Sequence, residues 1–425
     1  MVEFDNGLVG ATPCGCPIPS EHEPRLLLGQ ARGPAPTMTG ARAMSGGPAE
    51  AAGLYVHVPL CRGKCRYCGF YSVPAAGRDT GRLADALLKE LERYDGVEFC
   101  TAYIGGGSPT ILPAEQLVGL ARRVADRLPS GAEFTVECNP GQVELGLLEG
   151  LRRSGVNRLS FGAQSFRAGE LELLGRGHGV GDIGRSVELA RQAGFDNVGL
   201  DLIFAIPGSS LGDWQYSVEA AIDLGVQHIS AYGLSFEPGT VFEAWREGGR
   251  LCAVDEELDR AMYEWAVERL GRAGLGQYEI SNFARPGFEC RHNLGYWANR
   301  PFVGIGPGAA SYRQGGRVAN DPDIERYVAA VESGRGVPCE VQPVDAADAI
   351  CETAVLNLRR RAGINLAAFK QRTGRDAIQT FAGPIRRYHG LGLIEVTGGS
   401  VRLTPQALPI ADSILCDFAA LEGRY

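Results

Sequence analysis

Beyond residue 53, short apolar runs of β type alternate with longer segments whose apolar residues recur every three or four positions. The runs 54–58, 101–104, 133–138, 157–161, 197–205 and 227–233 read as strands. The segments 80–94, 114–128, 143–153, 181–193 and 211–224 read as amphipathic helices. In 80–94, Leu83, Leu87, Leu88 and Leu91 share one face. A longer helix near 254–273, with Leu258, Met262, Trp265 and Leu270 inward, follows the last unit. Repeated βα units imply a parallel sheet with helices outside. Six are too few for a closed eight-stranded barrel. The pattern therefore predicts an α/β fold, an incomplete (βα)6 TIM-like barrel with an open side and ligands at the C-terminal ends of its strands.

The last hundred residues follow a different pattern. Helical segments near 345–360 and 376–389 precede Leu393-Ile394-Glu395-Val396, a Thr397-Gly398-Gly399 turn and Ser400-Val401-Arg402-Leu403. That is a hairpin after helices, a winged-helix-like C-terminal helical domain over 341–425. The hairpin is not basic, so it reads as packing rather than DNA binding. Residues 1–50 are rich in Gly, Pro and Ala without periodicity and read as a disordered extension. Within it, Cys14 and Cys16 read as a pair without a role, and Met38 or Met44 as alternative natural starts.

Charge and composition narrow the class. The formal charge of −8 over 425 residues gives no basic character and no reason to expect a nucleic-acid partner. No apolar stretch reaches the roughly 18–20 residues that cross a bilayer. The start Met1-Val2-Glu3-Phe4-Asp5 lacks a secretory pattern. A cytoplasmic protein is expected, with most of its twelve cysteines reduced and buried.

Three cysteines stand apart. Cys61, Cys65 and Cys68 form a CxxxCxxC run just after the first strand, with Tyr67 before the last. A cubane iron–sulfur cluster normally takes four cysteines, so three leave one iron open to a small molecule. Zinc prefers four ligands in two pairs, and no second pair lies nearby. Other candidates stand at strand ends. Gly105-Gly106-Gly107-Ser108 lets a ligand approach the backbone. Glu137 and Gln164 end the third and fourth strands, and Arg176 and His178 follow on a glycine-rich turn. Asp201 lies inside an apolar run, where an isolated charge needs a partner. Arg176 is the candidate.

These segments, together with Asn157–Phe166, Asp201–Gly208 and Tyr278–Ser311, resemble the radical S-adenosylmethionine (SAM) superfamily over about residues 53–420. Within it they are most similar to the oxygen-independent coproporphyrinogen III oxidase-like branch. The resemblance implies a [4Fe-4S] cluster on the three cysteines, with SAM bound through the open iron and cleaved by one electron to a 5′-deoxyadenosyl radical. It implies that Tyr55, Gly106, Glu137 and Ser235 contact this SAM. Tyr67, Gly107, Ser108, Gln164, Arg176 and Asp201 match positions where oxidase members hold a second one.

Two members of the branch differ in ways this sequence resolves. The oxidases carry a fourth cysteine where this chain has Phe70. Heme chaperones of the HemW type lack it and carry the motif found here as His292-Asn293-Leu294-Gly295-Tyr296-Trp297. An imidazole suits heme iron, and aromatic rings pack on a porphyrin. The resemblance therefore implies heme at His292, Asn293, Tyr296 and Trp297, delivered to acceptors such as respiratory apoproteins, with an electron donor and a homodimeric state. The alternative is a coproporphyrinogen III oxidase or a heme-modifying relative. The divisions implied are 51–285 for the radical SAM core and 286–340 for the motif segment. Gly69 and Ala310 depart from the usual Asp and His of the chaperones, which leaves another tetrapyrrole open as cargo. His57 reads as structural.

Overall fold

The computed structural model describes residues 51–313 and 315–421. The extension over 1–50, with Cys14 and Cys16, lies outside the described residues. Six strands, β1 (Ala52–Val58), β2 (Phe99–Gly106), β3 (Glu133–Cys138), β4 (Arg158–Gln164), β5 (Val198–Phe204) and β6 (His228–Gly233), pair in parallel and in chain order. Between them run α1 (Thr80–Glu92), α2 (Ala114–Ala125), α3 (Leu145–Arg153), α4 (Ala168–Leu174), α5 (Val180–Gln192) and α6 (Leu211–Asp223). Local chemistry sets helix starts. Asp79 accepts the Arg82 N–H at 2.9 Å, and Ser210 with Asp213 forms a reciprocal capping box.

Successive residues of a strand point to opposite faces, and here the two faces differ in kind. Leu54, Val56, Ile104, Val136, Leu159, Leu200 and Ile229 pack outward into one core with Leu87, Leu117, Leu148, Val187 and Trp214 of the helices. The alternate positions Thr101, Thr135, Arg158, Ser160, Asp201, His228 and Ser230 are equally buried and polar. A parallel sheet covered on both faces ordinarily reads as continuous apolar runs. Here the inner face is chemistry rather than core.

The sheet extends beyond the predicted six strands. At the β6 edge lie β7 (Gly276–Gln277) and β8 (Asn282–Ala284), antiparallel. At the other edge β9 (Phe302–Ile305) runs parallel to β1, followed antiparallel by β10 (Ala310–Arg313), β11 (Gly316–Asn320) and β12 (Cys339–Pro343). The order is β12-β11-β10-β9-β1-β2-β3-β4-β5-β6-β8-β7, with its two edges unpaired to each other. The barrel is incomplete, as the unit count predicts. It has a seventh parallel strand that the sequence pattern hides, because β9 has only four residues between Pro301 and Gly306. Gly306 lets this strand close on β1, since a Cβ there would meet the His57 carbonyl oxygen at 2.3 Å.

Toward the C-terminus come α7 (Val241–Glu247), α8 (Glu256–Arg272) and α9 (Arg291–Trp297). The helical pattern near 376–389 is two helices, Ala377–Thr380 and Ala382–Gly390. The break turns Phe381 into the core against Phe369 and Phe418. The expected hairpin pairs Ile394–Val396 with Ser400–Leu403, and Ile364–Asn365 adds a third strand. No described helix is long and apolar enough to cross a membrane.

Glu90 of α1 fastens the β9 edge. Its buried carboxylate accepts from Gly306 N at 2.7 Å, Asn320 Nδ2 at 3.1 Å and the Tyr327 hydroxyl at 2.5 Å. Removing it leaves the Gly306 amide and the Tyr327 hydroxyl without an acceptor, and Asn320 Nδ2 with the Gly306 carbonyl alone. Glu90→Ala is expected to lower unfolding stability by about 3 kcal/mol, and Glu90→Gln by less. Urea denaturation measures this, and a loss below about 0.5 kcal/mol for Glu90→Ala contradicts the assignment.

Candidate functional site

The cysteine loop leaves the C-terminal end of β1 and is tied at its base. Leu60–Cys61 pairs with Val73–Pro74, and Val73 N donates to the Pro59 carbonyl at 2.8 Å. Arg66 anchors the middle. Its N–H reaches the Leu174 carbonyl at 3.0 Å, and its guanidinium donates to the Glu172 and Leu173 carbonyls at the end of α4. These are acceptors a helix C-terminus leaves open. The Arg66 carbonyl accepts from Phe242 N of α7 at 3.0 Å. An irregular loop is thus held on two sides.

Cys61, Cys65 and Cys68 are half-buried, and none is in a disulfide. Burial pushes the Cys68 thiol up to about 12 and raises Cys61 too. A metal that replaces the protons would reverse this. Among the described residues no three His, Cys, Asp or Glu side chains gather around one ion. A cubane would take each thiolate on a separate iron. Arg176 Nη1 donates to Cys65 Sγ at 3.3 Å, which suits a sulfur bearing negative charge.

Arg176 also joins the loop to the strand ends. Its Nη2 donates to the Gly162 carbonyl at 2.8 Å and to Asn139 Oδ1. Asn139 Nδ2 donates to Ser108 Oγ at 3.0 Å, and Ser108 to Gln142 Oε1 at 3.1 Å. The Arg176 Nε is buried and without a partner, a donor left for a ligand. Gln164 is buried at φ 68°, where the β4–β5 register shifts. A non-glycine residue held left-handed at a strand end is strain of the kind sites retain. Gly107 sits where a Cβ would meet the Leu60 carbonyl oxygen at 2.5 Å.

Two inner carboxylates stand beside this network. Glu137 accepts from the Tyr103 hydroxyl at 2.8 Å and Gly106 N at 3.1 Å, and burial raises its pKa to about 7. Asp201 accepts from Ser230 at 2.7 Å and Ser160 at 3.4 Å, and burial raises it to about 6. The expected Asp201–Arg176 pair does not form. Arg176 is turned to the cysteine loop, and the stronger balancing cation at Asp201 is buried Arg158. Ser235 Oγ donates to Glu237 at 2.6 Å. The Glu237 stem explains the departure at Gly69, where a Cβ would lie 2.8 Å from Glu237 Cβ. Tyr67 is half-buried against Phe242. The Tyr55 hydroxyl bonds His57 Nδ1 at 2.9 Å, and His57 is kept neutral by burial, its pKa lowered to about 4.

The histidine motif lies at the other end of the strands. Glu133, the first residue of β3, accepts from Arg291 N at 2.8 Å and His292 N at 2.9 Å, so a carboxylate closes the N-terminus of α9. His292 Nδ1 is 2.8 Å from Thr101 Oγ1, and Nε2 is 2.8 Å from the Tyr296 hydroxyl. Burial and Arg158 push its pKa down to about 3, so the ring is neutral. A cavity of about 320 Å³ opens here, lined by His292 and Tyr296 with Gly53, Thr101, Phe302 and three arginines. Asn293 and Trp297 do not line it. The Trp297 indole lies under Arg359, whose guanidinium carbon is 4.7 Å from the ring centroid. From Gly53 to Val58 the strand climbs about 17 Å, at roughly 3.3 Å per residue. The motif and the cysteine loop occupy opposite ends.

Tyr103, Asn139, Arg158 and Glu133 escaped the sequence reading, which weighed strand ends. Their signal was the two-residue period itself, as in Glu133-x-Thr135-x-Glu137 and Arg158-x-Ser160-x-Gly162.

Known proteins resemble this chain in sequence and fold. The Radical SAM superfamily model matches residues 55–221, and the HemN C-terminal domain model matches 344–410. Heme chaperone HemW of Bacillus subtilis (strain 168) is 35% identical over 372 residues, covering 86% of this chain and 98% of the relative. Heme chaperone HemW of Escherichia coli (strain K12) is 38% identical over 264 residues, covering 60% and 68%. The solved structure of Escherichia coli coproporphyrinogen III oxidase (HemN), a radical SAM enzyme, superposes with a TM-score of 0.75 at 21% identity, over 87% of this chain and 90% of that one, which shows the shared fold. With near full-length similarity at this identity, the chain belongs to the radical SAM superfamily and, within it, to the heme chaperone HemW family.

Proposed function

We propose that this protein is a heme chaperone that holds a [4Fe-4S] cluster on Cys61, Cys65 and Cys68, binds SAM beside it, and carries heme at the opposite end of the barrel for delivery to acceptor proteins. One observation carries the reading. His292 and Tyr296 face a cavity at the N-terminal strand ends, while the thiols stand beyond the C-terminal ends, about 17 Å away along β1. A reacting group must come within about 3.5 Å of its partner. Cargo at His292 is therefore out of reach of chemistry at the cysteine loop, which favours carriage over modification. Phe70, where the oxidases have a fourth cysteine, agrees.

A cluster with an open iron supplies one-electron chemistry on bound SAM. The chain's own groups fit that task. Arg176 offers a donor to Cys65 and holds an unused Nε. Half-buried Glu137 and buried Asp201 present carboxyl groups that a cationic ligand would ionise. At the other end, the neutral His292 ring is suited to bind iron. Its Nε2 is bonded to the Tyr296 hydroxyl, which would have to give way for iron to bind there.

After anaerobic reconstitution, Cys65→Ala should abolish the cluster absorbance and keep the heme Soret band. His292→Ala should do the reverse, and coproporphyrinogen should be returned unchanged by the wild type. Vinyl-bearing product from coproporphyrinogen contradicts the reading.

SAM affinity should depend on pH through Glu137. Burial keeps this carboxyl protonated up to about pH 7, and a bound cation favours its ionised form, so binding releases a proton. Affinity is expected to rise from about pH 6 to about pH 8 and then level off. Glu137→Gln should flatten that rise in calorimetric titrations. An unchanged rise in the variant excludes Glu137 as the group responsible.

A further inference from the structure

The cavity at the N-terminal strand ends has a cationic lining. Arg291, Arg300 and Arg360 line it, and no Asp or Glu does, on a chain whose formal charge is −8. The arrangement has a fixed element. Arg360 is half-buried, and its Nη2 donates to Asn357 Oδ1 at 2.8 Å and to the Gly363 carbonyl at 3.1 Å. Its Nε is buried and has no partner. Burial lowers the pKa of Arg360, and the positive charge of nearby Arg300 lowers it further. Two cations held near one another, one with an unused buried donor, form a receptor for an anion. Arg291 and Arg300 are exposed at the rim, and Arg291 makes a long bond, 3.4 Å, to the Gly131 carbonyl. Deeper in, the lining turns aromatic, with Tyr296 and Phe302 edge-to-face and centroids 4.7 Å apart beside His292.

A ligand for this space has a flat apolar body, a group that a neutral imidazole can bind, and carboxylates on one edge. We propose that the three arginines bind the propionate carboxylates of the tetrapyrrole and so orient the macrocycle with its metal toward His292. This rests on the heme reading above and adds to it the direction of entry. A volume of about 320 Å³ is at the lower end for small-molecule sites. It takes in part of a macrocycle and leaves the carboxylate edge at the rim, where the arginines stand.

The test compares three probes by absorbance and fluorescence titration of the full chain: ferric heme, its dimethyl ester, and iron-free protoporphyrin IX. The ester should bind the wild type about tenfold or more weakly than heme, the scale of a lost charge-assisted hydrogen bond. Arg291→Gln with Arg300→Gln should weaken heme to a similar degree and leave the ester unaffected. Protoporphyrin IX should depend on the arginines and be indifferent to His292→Ala. Equal binding of heme and ester, with the Soret band still dependent on His292, overturns the arginine assignment and leaves the heme reading standing. No heme binding at all overturns both. The ester comparison needs no variant, so a folding defect in the double substitution cannot mask the result.

Discussion

The inner face of the sheet is polar and sealed from water, so every charge on it must find its counterpart inside the molecule. Burying an ionised group alone costs several kcal/mol. The structure meets this constraint in two places. Near the C-terminal strand ends, Glu137 takes the Tyr103 hydroxyl and the Gly106 amide, and Asp201 takes two serine hydroxyls. Near the N-terminal ends, Glu133 takes the first amides of α9. Arg158 lies between the two groups, fully buried, and helps balance both.

Those two solutions underlie the two proposed sites. The upper carboxylates are left with raised pKa values, which makes them receptive to a cation, and beside them Arg176 ties Asn139 and, through it, Ser108 to the cysteine loop. At the lower end the Glu133 cap seats α9 so that His292 enters the space beside Gly53, where a Cβ would lie 3.2 Å from its ring. One barrel thus offers a thiol-rich end and an imidazole-rich end that share an interior without touching. On the proposed reading, that separation keeps cargo away from the thiol-rich end.

Much of this was legible in the sequence, and what was not has a common cause. Strands β1 to β6, the cysteine run and the histidine motif are local patterns, and the structure contains each of them. Partnerships are not local. His292 meets Thr101 across 191 residues and Glu133 across 159. No spacing rule reaches that far. The Asp201–Arg176 expectation failed for the same reason, because which side chain faces an inner charge depends on register. The motif reading also gave His292, Asn293, Tyr296 and Trp297 one task, but a helix spreads neighbours around its axis. His292 and Tyr296, four apart, share the cavity, while Trp297 turns to Arg359.

The central claim is that cluster and cargo stand at opposite ends of the barrel. It is tested most directly by dipolar electron paramagnetic resonance on protein loaded with both the reduced cluster and low-spin ferric heme. The account predicts a separation of about 17 Å or more, the climb of β1 from Gly53 to Val58. A separation in the contact range, about 4 Å between nearest atoms, would place the tetrapyrrole at the cysteine loop and contradict it.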